Sequence, residues 1–285
     1  MKVALTGASG FIGSYLIKLL LKKKNIEIYN LYRKHKIDNK KVKNIKFDFH
    51  KLDNSFYKKI SKIDILIHLA WDNLDNHNSY KHKKTYKKNL IFLKKLVSQK
   101  IKKIFIMGTC FEYGKRREGL LKENFKTYPS NNYAISKDKL RQSLFNLIKK
   151  KKETIIIWGR LFYLFGENQP EKTLYGSLKL AIIKKNKKFN MSPGDQKRDY
   201  LHVSDVAMYV MLLSLFYKKS GIINICSGKG VKLVNIVKKW IRKFKSNIKL
   251  NLGYYNYSSK EPLNFWGSNF KLQNFLSSIS FKRAK

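Results

Sequence analysis

Short apolar runs alternate with segments of helical spacing through the first half of this chain, and this alternation constrains its fold more than any other feature. The runs that predict strands are Lys2–Thr6, Ile26–Leu31, Ile45–Phe47, Ile63–Leu69, Lys103–Gly108 and Thr154–Leu161. The segments that predict helices are Phe11–Leu21, Tyr80–Lys100 and Asn132–Lys150. Strands that alternate with helices form a parallel, doubly wound sheet, so we expect an α/β fold of this class.

The second half is less regular. Loops follow Gly166, although Ile222–Ile225 has the composition of one more buried strand. We expect residues 1–165 to form the sheet domain, completed by a strand within residues 222–226. Residues 166–285 should form mainly a smaller part that covers the carboxyl edge of the sheet, where folds of this class bind ligands.

The composition is that of a folded protein with a substantial core, since 43% of the residues are hydrophobic and 14% aromatic. The longest apolar stretch, Val206–Tyr217, is too short to span a bilayer. The two cysteines, Cys110 and Cys226, form neither a disulfide framework nor a metal-binding pattern. We therefore expect no metal site, no membrane span and a cytoplasmic location.

The formal net charge of +44 has two explanations. So basic a chain often binds a nucleic acid or an anionic membrane. Only eight of the 62 basic residues are arginines, however, and the lysines are spread over almost every segment. A dedicated nucleic-acid surface clusters its charge and relies on arginine. We therefore favour a lysine-rich proteome as the cause, and the excess charge would also attract an anionic nucleotide.

A glycine-rich turn, TGASGFIG, follows the first strand directly. Gly7, Gly10 and Gly13 are each three residues apart, which differs from the commonest dinucleotide fingerprint, G-x-G-x-x-G. The physical basis is the same: glycines permit a tight turn and a close approach to a pyrophosphate, which then faces a helix N-terminus. The predicted cofactor contacts in this turn are Gly7, Ser9, Gly10, Phe11, Ile12 and Gly13.

The end of the second strand should contact the cofactor's adenine ribose. NAD enzymes usually place an acid about 20 residues after the glycines. Here that place holds Arg33, followed by Lys34, which favours the 2′-phosphate of NADP(H) over NAD(H). The alternative is that Arg33 is one more surface cation. Asp48, after the third strand, could accept from the adenine amino group or cap the next helix.

Tyr133 and Lys137 lie four residues apart in a predicted helix, so that both side chains share one face. A phenol at its usual pKa of about 10 is a poor proton shuttle at neutral pH. A neighbouring ammonium would lower that pKa, so Tyr133 could act as general acid or base with Lys137 as its partner. Thr109 supplies a hydroxyl at the end of the strand Lys103–Gly108.

Taken together, these motifs resemble the extended short-chain dehydrogenase/reductases, the NAD-dependent epimerase/dehydratase family. The resemblance covers nearly the whole chain. It rests on TGASGFIG, IHLAW at Ile67–Trp71, the helix bearing Asn89, GTCFEYG at Gly108–Gly114, Tyr133 with Lys137, RLFYLFGENQ at Arg160–Gln169, RDYLHVSDVA at Arg198–Ala207 and NICSG at Asn224–Gly228. It implies a Rossmann-like domain, a nicotinamide cofactor and a nucleotide-sugar substrate.

The resemblance also implies roles for single residues. Thr109 matches the family's catalytic Ser/Thr, and Asn89 matches a residue of a water relay from Lys137, although a packing role is equally open. Arg198 matches the arginine that grips the substrate diphosphate, and Asn168 a nearby substrate contact. Leu69 and Ala70 belong to the implied cofactor site.

The residues after Thr109 bear on the reaction. The family's dehydratases carry Asp and Glu there, whereas this chain carries Cys110 and Phe111. Glu112 is one position late, and along a strand it would point to the opposite face. Dehydration is therefore disfavoured. Some family epimerase-reductases use a cysteine one position later than Cys110. We interpret Cys110 itself as a small core residue.

The reaction that remains for this chain is hydride transfer without elimination of water. Several segments resemble the reductases of dTDP-4-keto-6-deoxyhexoses: HLAW, GTCFEYG, RLFYLFGENQ, Phe189–Ser192 and Glu261–Gly267. We therefore expect an NADPH-dependent 4-keto reductase. The first alternative is a nucleotide-sugar 4-epimerase with recycled NAD. A non-enzymatic NAD(P)-sensing or nucleic-acid-binding relative is disfavoured, because such relatives tend to lose the tyrosine or lysine. The family typically forms homodimers through the two helices that match Tyr80–Lys100 and Asn132–Lys150. In this chain both helices carry many lysines, so a homodimer through them stays open.

Overall fold

The computed structural model describes residues 1–49, 52–115, 118–150, 153–257 and 262–283. The helices are α1 Phe11–Leu21, α2 Asn54–Ile60, α3 Lys81–Ser98, α4 Asn132–Lys150, α5 Leu174–Ile183, α6 Val203–Phe216, α7 Leu233–Lys243 and α8 Phe270–Arg283. The strands are β1 Lys2–Thr6, β2 Glu27–Tyr32, β3 Val42–Lys46, β4 Ile65–His68, β5 Lys103–Thr109, β6 Gly119–Leu121, β7 Ile155–Leu161, β8 Tyr163–Phe165, β9 Lys188–Asn190, β10 Lys197–Arg198, β11 Tyr200–His202, β12 Gly221–Ile225, β13 Val231–Lys232, β14 Lys249–Asn251 and β15 Phe265–Gly267.

Seven of these strands form one parallel sheet in the order β12-β7-β5-β4-β1-β2-β3. The strand order reverses between β1 and β4, which creates a crevice at the carboxyl ends of the strands. The predicted α/β fold is therefore confirmed. The predicted strand Ile63–Leu69 is shorter in the structure, because Ile63 belongs to the turn after α2, where its N donates to the Ile60 carbonyl at 3.2 Å, and the strand ends at His68.

Helices cover both faces of the sheet. On one face α1, α6 and α8 enclose a core that includes Leu16, Val210 and Phe275. On the other face α2, α3 and α4 enclose a core around Phe92 and Trp158. Because β12, α6 and α8 all join the sheet layers, much of the second half of the chain returns to the first domain. The longest apolar stretch of the sequence, Val206–Tyr217, forms most of helix α6 and its C-cap.

A smaller part forms beyond the carboxyl edge. Helices α5 and α7 pack with β9 around Trp240, Tyr175 and Phe189. Four two-stranded pairings, β6 with β15, β8 with β11, β9 with β14 and β10 with β13, tie this part together. Within the described part of the chain, no helix is both long and apolar enough to cross a membrane.

The chain leaves β5 through a 3₁₀ turn, Cys110–Tyr113, rather than as the extended strand that the sequence suggested. Glu112 closes this turn: its carboxylate accepts hydrogen bonds from Thr109 N at 2.9 Å and Arg160 Nε at 2.8 Å. Trp158 Nε1 also donates to it at 2.9 Å. The Glu112 side chain is fully buried. The extended conformation expected at Glu112 was therefore wrong, because the chain turns there and directs the carboxylate toward β7.

We expect Glu112→Gln to destabilise the fold by about 3 kcal/mol, because it leaves a buried guanidinium without its carboxylate. Glu153→Gln is the matched control: Glu153 pairs with Lys100 at 3.3 Å, but both side chains are largely exposed. That change should cost less than about 1 kcal/mol. Urea unfolding of both variants measures the difference, and equal costs would contradict this account of Glu112.

Candidate active site

A cleft of about 1050 Å³ lies over the carboxyl ends of the central strands. The predicted site residues that line it are Gly7, Ser9, Gly10, Phe11, Ile12, Gly13, Arg33, Lys34, Leu69, Ala70, Asn89, Thr109, Tyr133 and Lys137. Asp48, Asn168 and Arg198 are absent from its described lining. The fold thus brings both ends of the predicted site into one space.

The glycine turn is shaped for a close backbone approach. Gly7 has φ of +76°, and a Cβ there would lie 3.0 Å from Ala70 N. A Cβ on Gly13 would lie only 2.0 Å from the Gly7 carbonyl oxygen. Helix α1 follows with Gly10 as its N-cap, so no side chain caps its first amides. This cradle fits a dinucleotide pyrophosphate, which would take its hydrogen bonds from those amides.

A buried chain of hydrogen bonds ties β1, β4 and α3 together beneath the cleft. His68 bonds Thr6 Oγ1 through Nδ1 at 2.8 Å and Asn89 Oδ1 through Nε2. Asn89 donates in turn to the Thr85 carbonyl at 2.8 Å. Burial and, to a smaller extent, the nearby Lys137 together lower the pKa of His68 to about 3. His68 is therefore neutral, and Asn89 holds it in place; the water relay through Asn89 stays a prediction.

Tyr133 lies in a ring of aromatic side chains at the start of α4. The His77 ring stacks on it, with centroids 4.8 Å apart and an interplanar angle of 18°. Trp71 meets it edge-on at 6.1 Å, and His82 lies 5.4 Å away. The His77 carbonyl accepts from Tyr133 N at 2.9 Å. The loop between β4 and α3 therefore packs directly on the predicted catalytic tyrosine.

Lys137 is held one helical turn further along α4. Its Nζ donates to the Met107 carbonyl at 2.7 Å and lies 4.0 Å from the Trp71 ring centroid. Burial lowers the pKa of Lys137 to about 7, although the Glu112 carboxylate favours the charged form. Near pH 8 the amine is consequently mostly neutral.

The pKa of Tyr133 is raised rather than lowered, so the expectation from the Tyr-x-x-x-Lys spacing was wrong for the cofactor-free protein. Burial is the main cause, the Glu112 carboxylate and Cys110 thiol add to it, and a hydrogen bond with Thr109 opposes it. A buried site disfavours the phenolate more than a partly neutral lysine can favour it. Tyr133 is therefore held as a protonated acid.

Cys110 and Phe111 both line the cleft beside Thr109. The Thr109 hydroxyl also accepts from Phe111 N at 3.3 Å, which fixes the start of the turn. Phe111 contacts the His77 ring edge-on at 5.3 Å. Cys110 is buried in an apolar cluster with Cys226, so it belongs to the core and to the cleft wall at once.

The ribose end of the cleft holds an ion pair that the sequence did not suggest. Arg33 Nη1 lies 2.6 Å from Asp72 Oδ1, although the two residues are 39 positions apart. Lys34 lines the cleft beside Arg33. Asp48 does not cap α2, because the cap is Asp53, whose carboxylate accepts from Phe56 N at 2.8 Å.

Of the three predicted substrate contacts, Thr109 lines the cleft, whereas Arg198 and Asn168 are absent from its described lining. The Arg198 guanidinium donates to the carbonyls of Lys197 and Leu263, at 3.0 Å and 2.8 Å. Its guanidinium carbon is 5.9 Å from the ring centroid of Tyr163, which lines the cleft, so Arg198 lies beside a residue of the cleft wall. Asn168 is exposed and left-handed, with φ of +66°.

Sequence reasoning missed Trp71, His77 and Asp72. Trp71 ends the quoted IHLAW motif, and a large aromatic at the carboxyl end of a strand is a signal that could have been used. His77 and Asp72 lie in a polar loop without periodicity, DNLDNHNS, where no local pattern marks a functional residue.

A doubly wound parallel sheet, a glycine cradle after its first strand and a Tyr–Lys pair facing the same cleft define a dinucleotide-dependent enzyme. The sequence profile of the NAD dependent epimerase/dehydratase family matches residues 3–226, so the chain belongs to this family. In the described part of the chain, no three His, Cys, Asp or Glu side chains are grouped to hold a metal.

Known relatives and solved structures are similar to this chain over most of its length. The dTDP-6-deoxy-L-talose 4-dehydrogenase (NAD(+)) of Aggregatibacter actinomycetemcomitans is 28% identical over 94% of this chain and 100% of its own length. A UDP-N-acetylglucosamine 4-epimerase from Methanobrevibacter ruminantium M1 superposes with a TM-score of 0.82 at 21% identity, covering 96% of this chain and 91% of that one. A UDP-glucuronic acid 4-epimerase from Bacillus cereus, solved with NAD, superposes at 0.80 and 21% identity over 97% and 93%. The solved structures show the fold.

We expect Gly13→Ala to weaken binding of NADH and NADPH by about 100-fold or more, because its Cβ would displace the cradle by an ångström or more. Gly221→Ala is the control, since a Cβ there meets nothing within 4 Å. Fluorescence titration of the reduced nicotinamide measures both. Tight binding by a folded Gly13→Ala protein would contradict the assignment of the cradle.

The lowered pKa of Lys137 predicts a pH dependence of stability. Between about pH 7 and the usual lysine value of 10.5, the unfolded chain binds a proton that the folded chain does not. The free energy of unfolding should therefore gain on the order of 2 kcal/mol from this residue between about pH 7 and about pH 9.5. Lys137→Met should remove that gain, whereas Lys139→Met, a change of an exposed lysine, should leave the gain intact. Urea unfolding at both pH values decides, and parallel profiles for the two variants would refute the burial effect.

Proposed function

We propose that this enzyme reduces the 4-keto group of a nucleotide-linked 4-keto-6-deoxyhexose, with a dTDP-linked sugar as the first candidate. The resemblance to a dTDP-6-deoxy-L-talose 4-dehydrogenase along that relative's entire length supports the substrate class. The reaction is hydride transfer at C4 without loss of water.

The observation that carries the proposal is the position of the Glu112 carboxylate in the turn after β5. Glu112 accepts from Thr109 N, Trp158 and Arg160, so it is occupied inside the protein. Cys110 and Phe111 face the cleft in its stead. Dehydration needs an acid and a base beside the sugar. Among the described lining residues, the carboxylates are Asp72 and Asp75 of the loop after β4.

The chain's own groups fit a reduction. A bound nicotinamide supplies the hydride, and the protein must protonate the oxygen that becomes a hydroxyl. Tyr133 is a buried, protonated phenol, so it can donate that proton as general acid. The Thr109 hydroxyl lies within hydrogen-bond reach of Tyr133, and its single proton can be turned to the same substrate oxygen instead. Lys137 supports Tyr133 from within α4.

We propose NADP(H) as the favoured cofactor, with NAD(H) accepted. Arg33 and Lys34 line the ribose end of the cleft, where a 2′-phosphate would take charge-assisted hydrogen bonds. The Aggregatibacter relative is named for NAD(+), which supports the second cofactor. Arg198, beside Tyr163 of the cleft wall, remains the proposed diphosphate contact, and Asn168 a proposed contact near Gln169.

The test is a mixture of purified enzyme, NADPH and dTDP-4-keto-6-deoxyglucose. We expect the near-ultraviolet absorbance of the reduced nicotinamide to fall, and Tyr133→Phe to slow the fall by about 10²–10⁴-fold because it removes the general acid. Tyr128→Phe provides a matched loss of one phenol outside the cleft lining and should react like the wild type.

Two outcomes would contradict the proposal. Consumption of NADPH that is unaffected by Tyr133→Phe would exclude this tyrosine as the acid. No consumption, with NAD co-purifying on the protein and a UDP-hexose interconverted with its 4-epimer, would replace the reductase with a 4-epimerase.

A further inference from the structure

We propose that Asp72 limits the enzyme's preference for NADP(H) by holding the Arg33 guanidinium, so that the cofactor selectivity is set by an ion pair and not by Arg33 alone. This inference deepens the proposed function, since it concerns the cofactor of that site. The cradle at Gly7 and Gly13 provides the independent reason to expect a dinucleotide there.

The sheet order explains why the two side chains meet. Strands β2 and β4 flank β1 on opposite sides, and Thr6 at the end of β1 is in register with Leu31 and His68. Arg33 directly follows β2, and Asp72 lies four residues after the end of β4. Their 2.6 Å bond therefore crosses over the carboxyl end of β1, next to the glycine turn. Dinucleotides bind across this part of a doubly wound sheet.

A 2′-phosphate and the Asp72 carboxylate need the same partner. A guanidinium forms its strongest bonds in a planar fork to one anion, so a phosphate must displace or share with the carboxylate. The carboxylate also repels the phosphate directly. A 2′-hydroxyl meets neither obstacle, because a carboxylate accepts from a hydroxyl while it keeps its arginine. Asp72 thus favours NAD(H) and disfavours NADP(H).

Among the described residues, neither Lys46 nor Lys34 can take the place of Arg33 as a phosphate-binding fork. Lys46 lies close, but its Nζ donates to the Arg33 carbonyl at 2.9 Å and so fixes the backbone. Lys34 lines the cleft as a flexible point charge, which is weaker than a fork at recognising phosphate. Asp75 lines the same cleft from the same loop, yet among the described residues it forms no ion pair with Arg33.

The comparison of Asp72 with Asp75 gives the experiment. The dissociation constants of NADH and NADPH are measured by fluorescence titration, without any sugar, for the wild type, Asp72→Asn and Asp75→Asn. Both changes remove one negative charge from the same loop. We expect Asp72→Asn to raise the ratio of the NADH dissociation constant to the NADPH dissociation constant by about three- to tenfold. The rise should come mainly from tighter NADPH binding. Asp75→Asn should stay within about twofold, because Asp75 is exposed, is not paired with Arg33 among the described residues, and its charge is screened by salt.

Arg33→Met completes the design. Alone it should lower the ratio, and in its background Asp72→Asn should have little further effect, because the two residues act as a pair. An unchanged ratio in Asp72→Asn, or an equal rise in Asp75→Asn, would overturn the proposal. Failure of the reductase proposal is seen separately, as NADPH that binds but is not consumed with the keto sugar.

Discussion

The buried carboxylate of Glu112 is the interaction on which the site's geometry depends. It joins the end of β5, through Thr109 N, to β7, through Trp158 and Arg160. Arg141 of α4 approaches the same carboxylate at 3.8 Å. One side chain therefore fixes the turn that carries Thr109 against the helix that carries Tyr133 and Lys137. Because a buried charge is costly unless it is fully paired, this arrangement has few alternatives.

The same carboxylate affects the chemistry from a distance. It raises the pKa of Tyr133 and opposes the burial that lowers the pKa of Lys137. The effect on Tyr133 keeps the phenol protonated, as a reductase requires of its general acid. Glu112, a carboxylate of the kind that elimination needs, thus has a structural role. Its electric field acts on Tyr133, the residue proposed to donate the proton.

The large positive charge lies almost entirely at the surface. Of the lysines, only Lys103 and Lys137 are buried among the described residues. Lys103 donates to the Leu215 carbonyl, which gives it a packing role. Lys137 alone combines burial with the cleft, and the energy of burying its amine is what separates it from the other lysines. The charge therefore constrains the fold little, since exposed lysines are well solvated.

Contiguous sequence determined the sheet class, the cradle and the Tyr133–Lys137 face. Each rests on spacing within one segment: apolar periodicity, glycines three apart, and two residues one helical turn apart. Helices α1 and α4 and strand β1 have the bounds that this spacing predicted. Only the tertiary structure decided that Glu112 turns toward Arg160, 48 positions away, and that Asp72 reaches Arg33. The direction of the Tyr133 pKa shift was decided there too. The physical reason is that strand order and burial choose which loops meet and how much water they keep, and neither is encoded in local spacing.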